Sequence, residues 1–353
     1  MQTIRKWLVV GIIFLFIGTA VFPTAATNIE KSSSASRGHW LYVGGSGPGN
    51  YTKIQDAINN ASDGDTVFVY DDSAPYNESV SITKSIYLCG ENTTTTIIHG
   101  GVGLAANDTI ISYFTIFGHI SEGWHGDSPP YRNITISHNI INWSVWLGPI
   151  VNVTISSNII LTGIFLGGSR VTITGNTIDR ASYLGCCYLI GTNNCTISGN
   201  NITNGNYGIF IDGNCQHITI VGNTISHCGA LIYSLGSSRV DIRRNNFKNN
   251  SRNAPGIILS GCRWTQVVEN NFINTSENCI WIMGFFNIWD RNYWGHPRLL
   301  PKPIYSSNRF ILRYLLGWLI HGGSWEPRYP YLILVPLALK YDWHPARQPY
   351  DIP

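Results

Sequence analysis

Ile197-Ser198-Gly199-Asn200-Asn201-Ile202 is followed 23 residues later by Ile220-Val221-Gly222-Asn223-Thr224-Ile225, and the same grammar runs on in both directions. It consists of an aliphatic residue, two residues, Asn, one residue, and a second apolar side chain. The asparagines are Asn139, Asn158, Asn176, Asn200, Asn223, Asn245, Asn270 and Asn292, 153 residues from first to last in seven steps. Three positions before each Asn stand Ile136, Ile155, Ile173, Ile197, Ile220, Ile242, Val267 and Trp289. Two positions after stand Ile141, Ile160, Ile178, Ile202, Ile225, Phe247, Phe272 and Trp294. A fixed period of about 22 residues marks stacked repeats.

Between the two upstream apolar positions lie Thr135, Thr154, Thr172, Thr196, Thr219, Asp241 and Gln266, an in-out-in alternation that suits a short strand. Strands this short cannot bury an apolar face alone, so identical faces pile up about 4.8 Å apart. The expected fold is an all-β, right-handed, single-stranded parallel β-helix. Asn is expected at the corner because its amide tolerates left-handed backbone and can bond the next Asn in the stack. A second strand precedes each repeat, as in Val145-Trp146-Leu147, Ile164-Phe165-Leu166, Tyr188-Leu189-Ile190, Ile209-Phe210-Ile211, Ile232-Tyr233, Ile257-Ile258-Leu259 and Ile280-Trp281-Ile282. With the segment after Asn, each winding has three walls.

Outward from the repeats, residues 1–26 carry Arg5 and Lys6, an apolar run from Trp7 to Phe22 and Thr24-Ala25-Ala26, the pattern of a secretory signal peptide. An uncleaved anchor is the alternative, and it is the only membrane contact expected. Residues 27–38 read as a flexible lead-in and 39–295 as the β-helix with its amino-terminal cap. In that cap Ile54, Ala57, Ile58 and Ala61 share one helical face, with Thr52 available at its start. Residues 296–353 read as an irregular carboxy-terminal cap. The chain is thus expected to be secreted or held at the cell surface.

A net charge of +3 without a basic run argues against nucleic acid as a partner. The eight cysteines do not space as a disulfide framework or a metal site, so buried thiols, no metal and no cofactor are expected. Cys187 and Cys279 share a column four windings apart, about 19 Å, beyond bonding range. Twelve Asn-x-Ser/Thr sequons, from Asn50 to Asn274, leave room for glycosylation of an exported chain.

The span Gly44 to Ile98 contains Tyr51-Thr-Lys-Ile-Gln-Asp-Ala-Ile58, Asp63-Gly-Asp-Thr-Val-Phe-Val-Tyr70, Tyr76-Asn-Glu78 and Ile86-Tyr-Leu-Cys-Gly-Glu91. It resembles the amino-terminal cap and first coil of the pectate-lyase-like superfamily. With the Asn repeats, Asn292-Tyr-Trp-Gly295, Asp342-Trp-His-Pro-Ala346 and Pro349-Tyr-Asp-Ile352, the chain looks most like exported archaeal right-handed β-helix proteins. Those share repeats with the accessory protein of nitrous-oxide-reductase copper-site assembly and with carbohydrate-binding and sugar-hydrolase modules. The resemblance implies the fold, but such folds host many activities. The Asp-Phe-Ile-Phe-Gly segment of pectin methylesterases, the polygalacturonase blocks and the Trp-Ile-Asp-His signature of pectate lyases are absent from the sequence.

Sugar cleavage by acid–base chemistry needs two carboxylates on one face. The candidates are Asp212, Asp241, Arg243 and Glu269, with Arg244 beside them; a solvated charge cluster is the competing reading. His217 and His227 read as turn or surface residues. The outward column of the upstream strand is read as Trp146, Phe165, Leu189, Phe210, Tyr233, Ile258 and Trp281, a stripe about 29 Å long. Its aromatic members, Trp146, Phe165, Phe210, Tyr233 and Trp281, are the candidates for stacking pyranose faces. Burial under the chain's own tail, Phe310 to Ile320 or Tyr331 to Leu339, is the other use for such a strip.

The expected function is therefore a non-catalytic exported β-helix that binds a polysaccharide or a cell-surface glycan or protein. A polysaccharide lyase or glycoside hydrolase with a divergent site is the alternative. An accessory factor for metalloenzyme maturation is a third, on resemblance alone.

Overall fold

The computed structural model describes residues 38–122, 130–179, 185–250, 255–275, 279–282, 284–306 and 340–352. The segment 1–37 read as signal peptide and lead-in, and the tail segments Phe310–Ile320 and Tyr331–Leu339, lie outside the described residues.

From Gly38 onward the chain is a right-handed parallel β-helix. One winding shows the plan: a first wall at Tyr207–Asp212, a second at Gln216–Val221 and a third at Thr224–Ser226. Each strand pairs in parallel with its copy in the next winding: Phe210 with Tyr233, Thr219 with Asp241, and Ile225 with Phe247. Among the described residues the third walls form a nine-stranded sheet, and the other walls join a 22-stranded one. The junction comes from two long strands, Ser144–Ser156 and Gly163–Thr174, which run through the corner between the first and second walls.

Strict register turns equal offsets in sequence into columns in space. The second-wall column Ile136, Ile155, Ile173, Ile197, Ile220, Ile242 and Val267 is wholly buried, as is the third-wall column from Ile141 to Ile225. In the last windings Phe247, Phe272 and Trp294 take over that third-wall column and stack, Phe272 on Trp294 with ring centroids 4.3 Å apart. Larger side chains there fill the closing end of the core.

The asparagines sit between the second and third walls, all buried. The backbone N–H and Nδ2 of Asn139 both donate to Oδ1 of Asn158, at 2.9 and 3.1 Å, and the pattern repeats rung by rung to Asn292. Each Nδ2 also reaches strand carbonyls, as Asn200 does to Ile173 and Ser198, satisfying backbone groups that would otherwise be stranded in the core. One detail differs from the sequence reading. The left-handed residue is not Asn but the one before it: His138, Ser157, Gly175, Gly199, Gly222, Arg244, Glu269 and Arg291, with φ between 50° and 68°. The turn is made by that residue, which leaves the Asn side chain free to point inward.

Both ends are closed by borrowed side chains. The capping helix Ile54–Asn60 buries Ile54, Ala57 and Ile58, but Thr52 does not cap it. Glu78 does, its two carboxylate oxygens accepting the N–H groups of Ile54 and Gln55 at 2.8 and 3.0 Å. An anion at the exposed amides of a helix start is favourable, which explains the acid in Tyr76-Asn-Glu78. At the other end Lys302–Ser306 pairs antiparallel with Lys340–Asp342. That hairpin brings Asp342 Oδ2 to the end of the ladder, where it accepts the N–H and Nδ2 of Asn292 and the indole N–H of Trp294, all at 3.0 Å. Asp342 stands where a ninth asparagine oxygen would be.

None of the eight cysteines is joined in a disulfide. Cys187 and Cys195 occupy inward strand positions in register with Ile209 and Ile218, as small apolar residues would. No helix among the described residues is long and apolar enough to cross a membrane.

Candidate functional site

The first wall displays an aromatic ladder. Register aligns Trp146, Phe165, Tyr188, Phe210 and Tyr233, and continues to Ile258 and Ile280. Two residues of the expected stripe are corrected. Leu189 is buried, in register with Leu166, and Tyr188 takes the outward place. Trp281 is in register with Leu259 rather than with Ile258, whose partner is Ile280, and the side chains of Ile280 and Trp281 lie outside the described residues. Both slips have one origin. Cys187 is an inward strand residue and Cys279 is buried just before its strand, so each strand starts one residue away from the reading, and a one-residue shift exchanges the two faces.

Ring centroids along the ladder are 5.2 Å (Trp146–Phe165), 6.2 Å (Phe165–Tyr188), 5.1 Å (Tyr188–Phe210) and 4.9 Å (Phe210–Tyr233), the last pair nearly parallel. Tyr207 leans in against Phe210 and Tyr233. Trp146 is 54% exposed at one end, Phe165 only 6%, and the remaining rings are half-buried. The Tyr188 hydroxyl donates to Asp212 Oδ2 at 3.0 Å. Burial, followed by Asp212, pushes the Tyr188 hydroxyl above its ordinary 10.0, and burial does the same to Tyr233, so both phenols stay protonated donors.

The acidic candidates do not meet. Asp212 ends a first-wall strand and is engaged by Tyr188. Asp241 and Arg243 share the outer face of the second-wall strand Ser238–Arg243, ion-paired at 3.2 Å. Burial raises the Asp241 carboxyl and Arg243 opposes it. Glu269 lies at the Asn corner, clamped between Arg244 at 3.0 Å and Arg291 at 2.9 Å. These are three places on three parts of the winding, each acid with its own partner. His217 and His227 are both left-handed turn residues. Among the described residues no group of three or more His, Cys, Asp or Glu is placed to hold a metal.

A second feature went unread in the sequence. Six positions before every ladder asparagine stands a left-handed residue at the corner between the first and second walls: Asn133, Asn152, Arg170, Asn194, His217, Arg239, Trp264 and Phe286, with φ of 54–59°. Asn accepts this conformation readily; Trp and Phe do not. Yet Trp264 and Phe286 are 54% and 64% exposed and stack on each other at 4.3 Å and 13°. Beside them an open hollow of about 440 Å³ is lined by Arg239, Val240, Asp241, Trp264 and Gln266. Aligning the corner column alone, where aromatic residues replace asparagine, would have found it.

The sequence matches the family described as right handed beta helix region over residues 140–289. No curated protein matches it. Among solved structures, the A-module of mannuronan C-5 epimerase from Azotobacter vinelandii is 14% identical, with a TM-score of 0.47, over 67% of this chain and 90% of that one. The Dettilon tailspike protein is 14% identical, with a TM-score of 0.49, over 72% of this chain and 62% of that one. The GH136 lacto-N-biosidase from Eubacterium ramulus is 10% identical, with a TM-score of 0.42, over 72% and 67%. At such identities these likenesses concern the fold alone.

Proposed function

We propose that this chain is an exported, non-catalytic glycan-binding β-helix whose first-wall ladder stacks the apolar faces of a polysaccharide or cell-surface glycan. The observation that carries this reading is the run of five rings, one per winding, with centroids 4.9–6.2 Å apart, of which Trp146, Tyr188, Phe210 and Tyr233 reach solvent and the buried Phe165 packs between Trp146 and Tyr188. Rings offer flat apolar surface, and the Tyr188–Asp212 pair offers polar contacts at its edge for sugar hydroxyls. Export is the reading of residues 1–26. The absence of catalysis is supported by the dispersal of Asp212, Asp241 and Glu269, because two-carboxylate cleavage needs its acids within roughly 5–10 Å of each other across one bond.

The test is incubation of the purified protein with a panel of acidic and neutral polysaccharides, following both retardation in affinity gels and new reducing or unsaturated ends. Retardation without new ends is the expected result. New ends would make the protein a lyase or hydrolase, and no retardation by any glycan would remove the ladder's assigned role.

A further inference from the structure

We infer that the corner hollow between Arg239 and Trp264 is a second binding site, for a sugar residue that carries an oxyanion. It lies on the second wall and its corner, apart from the first-wall ladder, and does not require that ladder to bind anything.

The argument begins with the backbone. In the same column Asn133, Asn152 and Asn194 meet the left-handed turn with the residue that suits it. At Arg239, Trp264 and Phe286 the chain carries bulky side chains in a conformation that opposes them. Two of these also hold large apolar rings in water. Neither feature helps the solenoid, whose windings close equally well with Asn.

The chemistry of the hollow then narrows the ligand. Trp264 gives a flat ring, held in place by Phe286 behind it. Arg239 has no carboxylate partner among the described residues. Its Nη1 donates to Nε2 of His217 at 2.8 Å, and His217 Nδ1 lies 3.2 Å from Asn193 Oδ1. The one acid lining the hollow, Asp241, is ion-paired to Arg243 through Oδ2, while its buried Oδ1 has no hydrogen-bond partner and is an acceptor for a sugar hydroxyl. A guanidinium held through Nη1 alone keeps its other N–H donors for a carboxylate or sulfate. Gln266 supplies an amide for hydroxyls. Flat face, guanidinium and amide together fit a pyranose bearing either a carboxylate or a sulfate ester.

The corner itself supplies variants that spare the fold, since Asn is what the column uses elsewhere. Wild type, Trp264→Asn, Trp264→Phe and Arg239→Asn would be titrated with methyl β-D-glucuronide, galactose 6-sulfate and methyl β-D-glucoside, using ligand-observed NMR, with melting curves run alongside. Wild type is expected to prefer a charged ligand over the glucoside by about ten-fold, a modest difference for one ionic contact. The tighter of the two charged ligands tells uronate from sulfate. Trp264→Asn weakens every ligand by a similar factor, Trp264→Phe retains binding, and Arg239→Asn removes the charge preference while keeping the glucoside, all without lowered melting. Equal affinity for charged and neutral sugars in wild type, or binding unchanged in both Asn variants, would overturn the site. Lowered melting of the Asn variants would overturn the premise that the bulky residues are carried at the expense of the turn.

Discussion

Two corners of this solenoid repeat once per winding and both use a left-handed residue, yet they differ in everything else. At the corner between the second and third walls the adjacent side chain points inward and is Asn in eight windings, each amide bonded to the next. At the corner between the first and second walls the left-handed residue itself varies freely, from Asn to Arg, His, Trp and Phe. The difference is where the side chain goes. A buried corner must satisfy backbone groups from which water is excluded, and only one side chain has the donor, the acceptor and the size to do so in every winding. A corner in water has no such demand, so its residues are set by what they meet outside.

Breaking the inward corner should have the largest effect. Asn200→Ala removes the acceptor of the Asn176 N–H and the donor to Ile173 and Ser198, and leaves a cavity. A loss of about 3 kcal/mol in denaturant-unfolding free energy is expected, from buried groups left unpaired. A change under half of that would mean that the ladder contributes little. Asp342→Ala, at the ladder's end, orphans the Asn292 N–H and the Trp294 indole and should cost about 2 kcal/mol, less because water can enter at an end.

Asp342→Asn sharpens the comparison by turning the terminator into another ladder residue. It keeps the accepting oxygen and should fall within about 1 kcal/mol of wild type. Burial raises the Asp342 carboxyl above its ordinary 3.8, ahead of the opposing hydrogen bonds from Asn292 and Trp294. The folded chain therefore holds a proton at higher pH than the unfolded chain. The penalty of the buried charge is full above the folded value and is relieved as pH falls through it. The stability advantage of Asp342→Asn over wild type should accordingly narrow between pH 7 and pH 4, as followed by urea unfolding; a gap that widens would contradict that sign.

At the outward corner the effect should reverse. Arg239→Asn exchanges a strained turn residue for a suited one and should raise stability by about 0.5 kcal/mol. A loss of stability there would show that Arg239 serves the fold through His217.

The same division between inward and outward positions decides how much of the molecule is legible in its sequence. The period, the inward columns and the Asn ladder are legible because burial forces one residue type into one offset. The aromatic stripe is legible except where Cys187 and Cys279 stand as buried residues and move the reading by one. The helix cap is not legible, since Glu78 reaches Ile54 across 24 residues and no local motif announces it. The stacked Trp264 and Phe286 are hidden for another reason: outward positions carry no period of their own, and only the left-handed backbone shows that those residues share a column.

The central claim is that the outward ladder binds glycan while the inward columns hold the fold, and Trp146 tests it most directly. It is the most exposed ring of the ladder and touches Phe165 alone among the described rings. Affinity-gel retardation of Trp146→Ala beside wild type, with melting temperatures for both, should show retardation lost and melting changed by no more than about 2 °C. Retardation equal to that of wild type would contradict the claim.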